Sequence, residues 1–246
     1  MKKIYLILLA LMMVWSMGTM TGCSFGGGSD APGEEQAPPE IVIAGGGKVT
    51  SYSNYAAAVY TEMSDVLEDV KFRTESNSNL VEGLRKVDSK TADITLTQGD
   101  LLYYAVNGLY YFNEKKLENL KAMSSCYKVG LQFITMGSFA GTSPADLVGK
   151  KILVGEEDSL AAISCGAILQ AYGVNEENAE FVYEGAEEAA DVLKDGTVDA
   201  VFCMGGAPVT SFMKLAITDG IKILPIEGEA ADALKAEYPF YLDYTI

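Results

Sequence analysis

Histidine is absent from all 246 residues. That absence excludes Ser-His-Asp and Cys-His catalysis, HExxH zinc sites and any imidazole switch near neutral pH. Arginine is almost absent as well: Arg73 and Arg85 are the only two. Cationic groups are scarce overall, with 18 Lys+Arg against 34 Asp+Glu and a net charge of -16. A surface of that sign repels phosphate backbones, which argues against a nucleic-acid partner. Cysteine is sparse too. After Cys23 there remain Cys126, Cys165 and Cys203, an odd set that cannot all pair internally and is no disulfide framework. Each lies in an apolar stretch, so all three are expected to be buried, reduced thiols, and Cys165 has no base to activate it. Apolar residues, by contrast, make up 49% of the chain, which excludes a largely disordered protein.

The longest apolar run is N-terminal. Met1-Lys2-Lys3 is followed by an apolar stretch over residues 4–14 and a small-residue zone ending at Thr21-Gly22-Cys23. This pattern reads as a signal peptide over residues 1–22. Met20-Thr21-Gly22-Cys23 resembles the bacterial lipobox, with Met in place of the usual first Leu, and implies that Cys23 is lipidated and leads the mature chain. Residues 23–40 lack apolar periodicity and hold three of the seven prolines, as expected of a flexible tether. No later run is long enough to span a bilayer, so the acidic body is expected to stay at the membrane by its lipid.

From Ile41 onward short apolar strands alternate with amphipathic helices. Strands are predicted at 41–44, 70–74 and 94–97, and helices at 55–68, from Leu80 behind an Asn77-Ser78-Asn79 cap, and from Asp100 to Val106. The scheme then repeats: strands at 152–154, 181–183, 200–203 and 221–224, with helices at 159–172, stopped by Gly173, at 186–193 and around Phe212. Leu84-Arg85-Lys86 leads through Ala92-Asp93 into Ile94-Thr95-Leu96 much as Leu193-Lys194-Asp195-Gly196 leads through Val198-Asp199 into Ala200-Val201-Phe202. Such alternation predicts an α/β protein of two parallel-sheet lobes, residues 41–126 and 127–246, joined near residues 129–135. The ligand cleft is expected between the lobes, at the carboxyl ends of the strands.

Four loops follow strand ends: residues 45–52, 98–100, 156–159 and 204–208. Gly45-Gly46-Gly47-Lys48-Val49-Thr50 superficially suggests a phosphate loop, but Val42 and Val49 stand where that motif needs Gly and Ser/Thr. It remains either a plain tight turn or a Gly-rich turn whose N–H groups meet a polar ligand. Glu156-Glu157-Asp158 reads either as an exposed helix start or as a corner that binds an ammonium group. Lys48 and Lys128 lie beside these loops and could answer a carboxylate. Tyr52, Tyr103 and Tyr127 offer walls with an apolar body and a hydrogen-bonding tip. Tyr110-Tyr111-Phe112 reads as packing, and Arg85 as outside the cleft.

Several segments carry a family likeness: Ile43-Ala44-Gly45-Gly46-Gly47, Leu96-Thr97-Gln98-Gly99-Asp100, Asp195-Gly196-Thr197-Val198-Asp199-Ala200, Gly206-Ala207-Pro208, and above all Leu224-Pro225-Ile226 with Tyr238-Pro239-Phe240-Tyr241. From Ile41 to its end the chain resembles the TAXI family, the extracytoplasmic solute-binding proteins of one class of TRAP transporters. The resemblance implies a type II periplasmic-binding-protein-like fold that closes over a small solute, an amino acid such as glutamate or a dicarboxylate, and delivers it to a membrane permease. Taking loop position, residue type and likeness together, the ligand-binding residues expected are Gly46, Gly47, Lys48, Ser51, Tyr52, Gln98, Tyr127, Glu156, Asp158, Ser159, Gly205 and Pro208. The acidic loop at Glu156 departs from the Gly/Ser/Thr-rich loop of the family and speaks against an anionic ligand there. Resembling proteins also continue beyond Tyr241, so an incomplete first lobe is expected. An ABC-type binding protein shares fold and anchor, and a surface interaction lipoprotein is a further alternative. Neither an enzymatic activity nor a cofactor is expected.

Overall fold

The computed structural model describes residues 38–45, 51–206 and 209–245, without the side chain of Ser51. The expected signal peptide, the lipobox Cys23, Gly46, Gly47, Lys48 and Pro208 lie outside the described residues. Two sheets form the frame. The first is built from β1 (Glu40–Gly45), β2 (Lys71–Ser76) and β3 (Ile94–Thr95), interleaved with α1 (Ser51–Val66), α2 (Leu80–Asp88) and α3 (Gly99–Asn107). Its strands are all parallel, in the order β2-β1-β3. Asn79 caps α2 by accepting the Glu82 N–H at 2.9 Å, and Gly108 ends α3 in the left-handed conformation at φ 73.

The second sheet contains β4 (Gly130–Met136), β5 (Lys151–Leu153), β6 (Glu180–Val182), β7 (Ala200–Gly205) and β8 (Ile221–Leu224), in the order β6-β5-β7-β4-β8. Its helices are α4 (Leu160–Ala171), α5 (Ala189–Lys194), α6 (Met213–Thr218) and α7 (Glu229–Glu237). Here β5 is parallel to β6 and β7, whereas β4 runs antiparallel to β7 and β8. The segment expected as the joint between lobes is therefore a central strand. Its sequence, GLQFITM, is apolar on both faces, and Phe133, Ile134, Gln132 and Thr135 are all buried. A run without alternation fits a strand covered on both sides, a position no solvated hinge could occupy. The helix α7 also has no counterpart among the elements predicted from periodicity. The remaining elements form where the periodicity places them, with ends shifted by a few residues.

The halves share one plan in detail. β2-β1-β3 and β6-β5-β7 are the same three-strand order, reached through the same succession of strand and helix. The two aspartates of the sequence echo perform one task. Asp93 accepts the Val42 N–H at 2.8 Å on its carboxylate and donates its own N–H to the Val42 carbonyl at 2.9 Å. Asp199 does so with Lys151, at 2.9 and 2.8 Å. Each carboxylate thus closes the open end of a ladder where the central strand begins. Glycine also recurs where a helix crosses close to the end of the central strand. A Cβ on Gly45 would lie 3.1 Å from the Ala56 Cβ, and one on Gly155, whose φ is +111, would lie 2.9 Å from the Ala161 Cβ.

Packing separates the two halves. Alternation along β4 and β7 sends Phe133 and Phe202 to one face, with Ile152, Cys165, Ile168 and Leu169, and Ile134 and Val201 to the other, with Leu153, Leu193, Phe212 and Leu215. The first half has a thin cluster of Val42, Ala44 and Ala92, and a second one of Leu84, Leu101, Tyr104, Ala105 and Phe112. The latter is covered by Leu160 and Ile163 of α4 and by Phe240, so part of its lid comes from the other half. Two of the three thiols are buried as expected, but Cys126 is exposed, in the irregular segment before β4. Burial raises the Cys165 thiol well above its usual range and pushes Cys203 up to about 12, which keeps both protonated and inert.

Candidate solute-binding cleft

In each parallel ladder the strands point their carboxyl ends the same way, and the loops leaving them are free of the sheet. β1 ends at Gly45 and hands the chain to α1, which begins with Ser51 and Tyr52. β3 is followed by Thr97 and Gln98, the latter sitting just before α3. β7 ends in Met204 and Gly205. Because β4 is antiparallel to β7, pairing Gly130 with Gly205, the linker bearing Tyr127 and Val129 arrives at this same end. One antiparallel strand therefore brings the connection between the halves into the cleft.

These residues enclose a cavity of about 400 Å³. Tyr52, Tyr55 and Gln98 line it from the first half, Tyr127 and Val129 from the linker, and Met204, Gly205 and Gly206 from the second half. Gln98 donates its Nε2 to the Tyr52 hydroxyl at 2.7 Å. The Tyr55 and Tyr127 rings stack at 5.2 Å. Burial, with neighbouring Tyr127 adding to it and the Gln98 hydrogen bond opposing it, pushes the Tyr52 phenol up to about 12, so the ring stays neutral at any physiological pH. Among the described residues, none of the eight that line the cavity is charged. Beneath the cavity, the fully buried Gln132 of β4 donates weakly to the Gly206 carbonyl at 3.4 Å. Its Oε1, the Oε1 of Gln98 and the Oγ1 of Thr97 are buried acceptors without a hydrogen-bond partner.

Of the residues singled out in the sequence, Tyr52, Gln98, Tyr127 and Gly205 come together here. Glu156, Asp158 and Ser159 do not line this cavity. Glu156 and Asp158 are exposed, and Glu156 lies against Gly185. The Asp158 carbonyl accepts the Tyr111 hydroxyl at 2.6 Å, so a tyrosine of the first half occupies that loop. Ser159 caps α4, its hydroxyl accepting the Ala162 N–H at 3.1 Å. The ammonium of Lys128 is engaged by the Asp243 carbonyl at 3.0 Å. Tyr103, expected as a cleft wall, instead packs edge-on against Tyr238 and tilted against Phe240, because its helix α3 turns that face toward the C-terminal segment. Arg85 stands apart from the cleft and donates to the Tyr111 carbonyl. Tyr55 and Val129 were not singled out, and Met204 and Gly206 lie in the loop 204–208 expected at the cleft but were not among the expected binding residues. Tyr55 was within reach, since it follows Tyr52 by three positions on one helix face.

A second polar feature lies between the halves. Asp100, in the first turn of α3, is buried beside Ser164 of α4 and the C-terminal Tyr241. Burial raises its carboxyl above the ordinary range, although it accepts the Leu101 N–H at 2.7 Å. Among the described residues no cluster of His, Cys, Asp or Glu could hold a metal ion, and no helix is long and apolar enough to cross a membrane.

Two α/β halves meeting at strand carboxyl ends define a periplasmic-binding-protein fold, and comparison with solved structures agrees. The periplasmic aliphatic sulphonate-binding protein SsuA from Escherichia coli matches with a TM-score of 0.52 at 13% identity, over 76% of this chain and 60% of that one. A putative sulfonate ABC transporter periplasmic-binding protein SsuA from Methylobacillus flagellatus matches at 0.51 and 15%, over 77% of this chain and 56% of the other. This chain thus spans less than two thirds of the length of either. Residues 43–246 match the NMT1-like family, and the chain belongs to that family.

Proposed function

We propose that this protein is an extracytoplasmic solute receptor that takes a small amino-acid-like solute into the cleft between its halves and hands it to a TRAP-type permease. The observation that carries this reading is the cavity at the strand carboxyl ends, with walls from both halves and from the linker. The working unit is a lobe of residues 41–126 and a lobe of residues 127–246, tethered through residues 23–40 to a lipid on Cys23 at the outer face of the cytoplasmic membrane. The TRAP assignment is supported by the TAXI-like segments, above all Leu224-Pro225-Ile226 and Tyr238-Pro239-Phe240-Tyr241. In the cleft we assign binding to Tyr52, Gln98, Tyr127 and Gly205, with Gly46, Gly47, Lys48, Ser51 and Pro208 supplied by the adjoining loops. A dicarboxylate fits less well, since no described lining residue offers a cation to a second carboxylate.

The test is thermal melting against a panel of amino acids, dicarboxylates and sulfonates. A receptor gains stability by mass action from the solute it binds, about 2.7 kcal/mol at a hundredfold excess over Kd, and contracts in small-angle scattering as the lobes close. A flat melting response across the panel and an unchanged scattering profile would refute it. An ABC-type partner is the second reading, favoured by the resemblance to the putative sulfonate ABC transporter protein. A sulfonate outcompeting every amino acid, or a neighbouring gene for an ATPase in place of a multi-span permease, decides for it.

A further inference from the structure

We propose that the solute of this cleft carries an N-alkylated ammonium group, as in a betaine-type zwitterion. This rests on the reading of the cavity as the solute site. Three of its eight lining residues, Tyr52, Tyr55 and Tyr127, are phenols, and Met204 adds a polarisable sulfur. Aromatic faces attract cations through the ring quadrupole, and the attraction is stronger when water is excluded. A primary ammonium differs from an alkylated one in what it needs. It brings three N–H donors and wants carboxylates or several open acceptors around them. No carboxylate lines this cavity among the described residues. The unpartnered oxygens nearby, on Thr97, Gln98 and Gln132, are sealed from solvent. An alkylated ammonium has few or no N–H groups to satisfy and spreads its charge over methyl groups that pack on rings.

The longer-range field agrees. The chain carries a net charge of -16. The Asp100 side chain takes up the Leu101 N–H at the start of α3. The start of α1, bearing Ser51 and Tyr52, has no acidic residue in its first turn and keeps its positive pole. A bare cation would meet that pole unfavourably, whereas the carboxylate of a zwitterion balances it. Tyr52 remains an uncharged ring, because burial of its hydroxyl outweighs the hydrogen bond it accepts from Gln98.

The experiment is calorimetric titration of the full chain with four probes: trimethylglycine, glycine, glutamate, and tert-butylacetate, the carbon isostere of trimethylglycine that lacks the positive charge. Trimethylglycine is expected to bind about tenfold or more tightly than each of the others. Tyr127→Leu should weaken it about two- to fivefold, and Tyr127→Phe should leave it nearly unchanged, since the phenylalanine ring keeps the face. Both Tyr55 and Tyr127 are more than 40% exposed, so truncation leaves the core intact, and Tyr55→Leu provides an independent variant. Glutamate binding best, with affinity lost in Tyr127→Leu, would overturn this inference while leaving the receptor reading in place. Equal binding of trimethylglycine and tert-butylacetate would overturn it too. Failure of all four probes would overturn it as well, and if the wider panel above were also silent the receptor reading would fall with it.

Discussion

In the second half, β7 is flanked by β5 and β4, and both faces of the sheet are closed by helices of that half. In the first half, β1 is the middle of only three strands, and the cluster around Leu101 and Tyr104 is finished by Leu160, Ile163 and Phe240. The same strand-helix plan thus gives one body with its own core and one that leans on its neighbour. The antiparallel pair β4 and β8 makes the difference, since it widens the second sheet enough to bury large side chains on both sides. A small sheet buries a smaller share of its surface and needs cover from elsewhere. In the proposed receptor, a lobe stabilised through its neighbour would couple its own stability to closure.

The comparison can be broken most directly in the cores. Phe202→Ala removes a buried ring packed 5.0 Å from Phe133 and should cost about 3–5 kcal/mol by urea denaturation, with one cooperative transition. Leu101→Ala, in the dependent half, should cost about 2–5 kcal/mol. Hydrogen exchange should show its loss confined to α1–α3, while β5 and β7 stay protected. Uniform loss of protection in the Leu101 variant would mean that the halves do not differ in autonomy.

Two helical glycines sharpen the contrast at smaller scale. A Cβ on Gly83 would run into the Thr95 side chain and lie 2.8 Å from Asn77 Nδ2, so Gly83→Ala should destabilise by about 1–3 kcal/mol. A Cβ on Gly166 meets nothing within 4 Å, and Gly166→Ala should stabilise by about 0.5–1 kcal/mol. Thermal melts of the two single variants should therefore move in opposite directions. Ser159→Ala removes the cap of α4 and should cost about 1 kcal/mol without altering the melting gain from a bound solute. A solute-dependent loss would instead put Ser159 among the binding residues.

The least disruptive probe is Asp100→Asn, between the halves. Burial raises the Asp100 carboxyl, so the folded protein holds this proton more tightly than the unfolded chain. Its contribution to stability is complete below the ordinary carboxylate value and is lost as pH rises through the raised one. The groups that face it are Ser164 and the phenols of Tyr52, Tyr104, Tyr111 and Tyr241. The amide of the variant cannot ionise, so the Tm difference, variant minus parent, should grow more positive as pH rises above the ordinary carboxylate value. Glu82, held down to about 2 by Ser78, has the opposite trend but is common to both proteins and cancels. A difference that stays flat with pH would show that folding does not raise the Asp100 carboxyl.

Much of the parallel framework was legible because it is written in local signals. The capping Asn79, the stop at Gly173 and the two aspartates before β3 and β7 each act within a few residues of where they stand, or on the neighbouring strand. Tyr52, Gln98, Tyr127 and Gly205 could be singled out by their place after strand ends and by family likeness. The direction of β4 was not legible. GLQFITM says that a strand is buried, but no local signal says which way it runs, because parallel and antiparallel burial favour the same residues. Nor does the sequence tell that Tyr111 would take the Asp158 loop, or that Tyr103 would turn to Phe240, since those contacts join positions 47 and 137 residues apart. Chain-local chemistry set the strands, helices and caps of this protein. The cleft wall and the cover of the first half were decided only when long-range packing brought distant side chains together, because burial and ring contact depend on distance in space, not along the chain.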